Sequence, residues 1–160
     1  MVSYVKLIGL LALLSLGNCE KQKMEKLVGD DYIQFGIYSG NCSGKCQIFY
    51  LLTENEVFKD ELYLFSVIDK KPYVGRYRVL SNELFENVKQ LKANFPMEIL
   101  EENKSVFGYP DAHDQGGIYL EYRKGESHKF WHIDPVKERV PEYLHSYLNQ
   151  LDSAHSILNK

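Results

Sequence analysis

No run of basic residues occurs anywhere in this chain, and its formal net charge is −3. A nucleic-acid surface needs clustered Lys and Arg to neutralise phosphates, so that class of partner is excluded. Long hydrophobic runs are missing too. The apolar stretch Leu7 to Leu16 would make about 15 Å of helix, roughly half of a bilayer's hydrocarbon core, so no membrane span is expected. Cysteine is scarce, with three in 160 residues. Internal repeats, low-complexity segments, a Gly-rich phosphate loop, a Gly-x-Ser-x-Gly elbow and a His-Glu-x-x-His helix are all absent. No catalytic residue and no cofactor are therefore assigned.

What is present begins with Leu16-Gly17-Asn18-Cys19. Lys6 gives a short positive region, the apolar run follows, and small residues lead into a cysteine. This is the layout of a bacterial lipoprotein export signal, in which Cys19 is lipidated and becomes the mature N-terminus. The alternative is a cleaved, unlipidated signal cut after Gly17, which would make the protein soluble and secreted. Residues 1–18 are read as the signal, and their loss removes Lys6 and takes the formal charge from −3 to −4. Residues 19–31 mix both charge signs with little apolar content and read as a tether. Residues 32–160 are one domain's worth of chain.

If Cys19 carries lipid, Cys42 and Cys46 remain as an even pair, and an exported compartment is oxidising. Four extended steps would hold their Cα atoms about 13 Å apart, whereas a disulfide needs less than about 7 Å. The two cannot share one straight strand, and Gly40 and Asn41 just before them and Ser43 and Gly44 between them supply turn-forming backbone. A zinc site is an alternative, but only two ligands are offered and no second pair follows. Redox chemistry is another, although the spacing exceeds the two-residue gap of thiol–disulfide catalysts.

The alternation of Ile33, Phe35 and Ile37 with Gln34 and Gly36 predicts a half-buried strand. Cys46–Thr53 reads as a central strand, Val57–Ile68 as one long or bulged strand, and Tyr73–Leu80 as a fourth, with turns at 54–56 and 69–72. Short connections favour an antiparallel meander. Ser81 caps a helix running to Phe95, with Pro96 as its stop. Met97–Leu100 is expected to be a short strand, and Asn103–Gly117 to be irregular. Residues 118–123 and 128–133 form a predicted hairpin, and Pro141 opens a helix with Leu144, Leu148, Leu151 and Leu158 along one stripe. The expected fold class is α+β, a mostly antiparallel sheet with two helices packed on one face.

The pattern Cys42-Ser43-Gly44-Lys45-Cys46, followed by Phe49, resembles a family of small bacterial lipoprotein domains of unassigned function. Gln47 and Phe49 stand where its members usually carry Pro and Tyr. The likeness continues through Gly75-x-Tyr77-x-x-x-Ser81, Tyr109 with Asp111, and a Pro-opened last helix containing Leu151-Asp152, covering roughly 33–157. The resemblance implies export and an α+β domain, and it implies no activity.

Two further features bear on function. Asp111, His113 and Asp114 form the best polar cluster, able to hold a divalent cation or to act as acid and base, within a loop rich in turn formers. His128 and His132 share a strand face with Phe130 between them and could join such a site. The twelve tyrosines suit strands, and an exposed row such as Tyr73, Tyr119 and Tyr122 would instead form a binding face for a protein or glycan. The leading expectation is a lipid-anchored, non-catalytic interaction domain of the cell envelope, held to the membrane by its N-terminal lipid. The rival is an envelope enzyme, metal-dependent or acid/base, using Asp111, His113 and Asp114.

Overall fold

A computed structural model describes residues 29–39, 42–62, 71–112 and 115–160. Cys19, Gly40, Asn41, residues 63–70, His113 and Asp114 lie outside the described residues, as do the residues expected to form an export signal and most of those expected to form a tether. The described residues form one seven-stranded sheet, whose strands lie in the order 77–79, 57–60, 47–52, 31–38, 117–124, 127–133, 106–107. The expected meander is there: β1 (Asp31–Tyr38), β2 (Gln47–Leu52), β3 (Val57–Asp60) and β4 (Tyr77–Val79) pair antiparallel in turn. The hairpin of β6 (Gly117–Lys124) and β7 (Ser127–Ile133) adds to the other side of β1, from Asp31↔Lys124 to Tyr38↔Gly117. β1 is thus central because both halves of the chain pair with it. Gly125, at φ +57, makes the two-residue turn between β6 and β7.

Three expectations are corrected. Val57–Ile68 is not a strand throughout, since β3 ends at Asp60 and its carboxylate caps the outgoing chain by accepting from Leu62 N–H. Residues 73–76 are irregular, and only Tyr77–Val79 of that segment pairs with β3. Met97–Glu101 is a 3-10 turn rather than a strand, its Ile99 N–H bonded to Pro96 C=O and its Ile99 side chain sealed into the core. One strand was hidden in the stretch read as irregular: β5 (Val106–Phe107) lies parallel to β7. Asp134 fixes it, donating its own N–H to Phe107 C=O and accepting from Tyr109 N–H. Gly108 between them sits at φ +68, and an added Cβ would come within 2.5 Å of the Asp134 side chain.

The helices form as their spacing demands. Ser81 accepts from Leu84 N–H and caps α1 (Asn82–Val88), and α2 (Gln90–Ala93) continues it through Lys89, which keeps helical angles. α3 (Glu142–Leu158) follows Pro141 and buries Leu144, Tyr147, Leu148, Leu151, Ala154 and Leu158. These stripes pack on the sheet face carrying Ile33, Phe35, Leu52, Leu120 and Trp131, making one large apolar core. Among the described residues no helix is long and apolar enough to cross a membrane.

Candidate functional site

The opposite sheet face is also buried, by different means. Alternation places Gln34, Gln47, Asp60, Glu121 and His132 on it, all nearly sealed from solvent, among Tyr32, Tyr38, Tyr73, Tyr77 and Tyr119. Gly36 makes this layer possible. It pairs in register with Phe49 on one side and Tyr119 on the other. With no side chain at Gly36, those two rings meet across β1, stacked with centroids 5.1 Å apart.

Two carboxylates organise the polar groups. Glu121, 0% exposed, accepts from Tyr32 Oη at 2.9 Å and from the Tyr119 hydroxyl, and it bonds His128 Nε2 at 2.8 Å. Asp60 accepts from Tyr73 Oη at 2.8 Å, Gln47 Nε2 at 3.1 Å and Arg76 N–H at 2.9 Å. Tyr119 in turn accepts from Tyr73 N–H at 2.9 Å, linking the two clusters. Burial, reinforced by these carboxylates, pushes the phenols of Tyr32, Tyr73, Tyr77 and Tyr119 well above the usual tyrosine range, so they remain neutral. His132 is held low by burial alone, with its Nδ1 facing Tyr38 Oη at 3.1 Å.

This arrangement overturns the tyrosine row as a binding face. Tyr119 is 2% exposed, Tyr122 is 8% exposed and belongs to the apolar core, and Tyr73 turns inward to Asp60. Tyrosine is used here as a buried donor. The sequence signal lay in Asp60 and Glu121, charged residues within otherwise apolar strands, where an unpaired charge would be costly and a set of donors is therefore implied.

The cysteine expectation is met by a disulfide joining Cys42 and Cys46, with Cα atoms 5.5 Å apart. Gly44 at φ +115 turns the chain between them, and β2 begins only at Gln47. Of the polar loop, Asp111 is described. It sits at φ +59, donates its N–H to Gly116 C=O at 2.7 Å and accepts from Gly116 N–H at 3.1 Å, closing its own loop. Its charge also reaches Tyr38, whose phenol is raised first by burial and then by Asp111. His128 and His132 share a face as expected, but they are committed to Glu121 and Tyr38 respectively. Among the described residues no group of three or more His, Cys, Asp or Glu side chains is placed to hold a metal ion.

The surface offers one apolar recess that the sequence reading did not anticipate. Ile37 pairs in register with Ile48 and Ile118, so three isoleucines lie side by side across β2, β1 and β6. They lie at the far end of the helix-side face, and Ile37 is 44% exposed. They line a groove of about 310 Å³ whose walls include Cys42, Cys46 and Pro135. No protein-family model matches this chain, and no curated protein is significantly similar to it.

Proposed function

We propose that this protein is a lipid-anchored component of the bacterial cell envelope whose domain acts by binding a partner rather than by catalysis. The observation that carries this reading is the division of the three cysteines. Cys42 and Cys46 are joined to each other, which leaves Cys19, preceded by an apolar run and small residues, as the residue for acylation. Two or more acyl chains give stable attachment, at about 0.8 kcal/mol per buried methylene. The geometry is compatible with presentation outward. The chain enters the sheet at Asp31, and the isoleucine groove lies at the Tyr38 end of the same eight-residue strand, about 25 Å away. A binding role is favoured because the buried carboxylates are saturated by the domain's own donors, Glu121 by Tyr32, Tyr119 and His128, and Asp60 by Tyr73, Gln47 and Arg76.

Fractionation tests the anchor. Wild-type protein is expected in the membrane fraction, resistant to high salt, and Cys19→Ser is expected in the soluble fraction with its fold intact. Wild-type protein found soluble would overturn the reading. Cross-linking in the native envelope, with an envelope protein or glycan captured, tests the binding role.

A further inference from the structure

We propose that the Cys42–Cys46 disulfide is a thiol-exchange site, and that its partner is a dithiol protein which seats an apolar residue in the adjoining isoleucine groove. The inference rests on the interaction reading above, names the chemistry of the partner, and makes the exchange one stoichiometric event of that encounter rather than catalytic turnover.

The bridge is not needed to hold the strands it adjoins. β1 and β2 are already joined by six register pairs, and Ser39 N–H donates to Cys46 C=O at 2.8 Å just beyond them. Opening the bridge therefore leaves the ladder in place. The bridge is also accessible, because Cys42 is exposed while Cys46 is half-buried, its sulfur against the carbonyls of Cys42 and Gly44. Finally, it forms part of the wall of the groove lined by Ile37, Ile48 and Ile118. A solvent-facing disulfide beside an apolar recess combines the two things a protein thiol needs, a sulfur to attack and a place to dock.

The step balances as an exchange. A partner thiolate attacks Cys42 Sγ and forms a mixed disulfide. The Cys42–Cys46 bond breaks, and Cys46 leaves with the electron pair and takes a proton from water. The partner's second thiol then displaces Cys42, so the dithiol is oxidised by two electrons and the bridge is reduced by two.

The test uses full-length protein extracted in detergent, with exchange quenched by alkylation and read by intact mass. Thioredoxin serves as the protein dithiol and dithiothreitol as the small one. Both are expected to open the bridge with far-UV circular dichroism unchanged. Ile37→Glu is expected to slow thioredoxin by about tenfold and to leave the dithiothreitol rate unchanged. A thioredoxin lacking its resolving cysteine should be trapped on Cys42 of the unsubstituted chain. A bridge that opens only in denaturant, an adduct on Cys46, or equal rates for Ile37→Glu and wild type with thioredoxin would each overturn the proposal. The same spectra read the mass at Cys19, so failure of the anchor is seen separately from failure of exchange.

Discussion

The helix-covered face of the sheet and its opposite face are supplied by alternate residues of the same strands, yet they are buried on different terms. On the first, Ile33, Phe35, Leu52, Leu120 and Ile133 meet the stripes of three helices, and stability follows apolar area and close packing. On the second, Gln34, Gln47, Asp60, Glu121 and His132 are as well sealed, and stability follows whether each polar atom has a partner. Most do. Among the described residues, Gln34 Nε2, Tyr77 Oη and His132 Nε2 are buried with no hydrogen-bond partner. A polar layer specifies its arrangement strictly but is stabilised less, so the two faces should respond to substitution in opposite ways.

The largest effect is expected on the apolar side. Leu144, fully buried on the inner face of α3, should cost about 3.5 kcal/mol as Leu144→Ala, read by urea unfolding, because it leaves a cavity that the sheet cannot close. On the polar side, Glu121→Ala should cost about 2.5 kcal/mol by stranding the Tyr32, Tyr119 and His128 donors. Glu121→Gln keeps the shape and should recover over half of that loss. Equal costs for Ala and Gln would mean that volume, not hydrogen bonding, holds this face.

Gln34→Leu gives the sharpest contrast. It removes a buried polar group whose amide nitrogen has no partner among the described residues, and it should stabilise the domain by about 1 kcal/mol. A loss of stability would show that Gln34 is satisfied in solution.

Acid acts on both faces in one direction. Burial lowers His132 on the polar side and His155 on the helix side, where Lys59 adds to burial and Asp152 opposes it. Both histidines bind protons more readily when unfolded, so their contribution is full above about pH 6.5 and is lost as pH falls through the folded values. Asp134 follows at lower pH. Burial would raise it, but the N–H groups of Val136 and Tyr109 and the Arg139 guanidinium outweigh burial and hold it low. Its contribution is present above the unfolded value of about 3.9 and is lost as pH falls below it. Urea midpoints measured from pH 7.5 to 5.5 should decline, and His132→Asn should flatten the decline.

Helix stripes and the meander were legible because period and capping are local. Ser81 and Pro141 opened their helices as read, and Leu144, Leu148, Leu151 and Leu158 faced inward. Misreadings arose where tertiary contacts decide. Met97–Glu101 turned to place Ile99 in the core, and β5 exists because Asp134, nearly thirty positions later, captures Tyr109 N–H and Phe107 C=O. The disulfide followed from cysteine parity. The polar layer did not follow from any motif, because apart from the Tyr119–Glu121 pair on β6 its carboxylates and tyrosine donors come from separate strands and loops. The row of Ile37, Ile48 and Ile118 was invisible for the same reason, since register decides which isoleucines meet.

Intact mass spectrometry of protein extracted from membranes without reductant tests the account most directly. The predicted species starts at Cys19, carries the added mass of its acyl chains, and is two hydrogens lighter than the dithiol because Cys42 and Cys46 are joined. An unmodified chain starting at Asn18 with all three cysteines as free thiols would contradict both the anchor and the bridge.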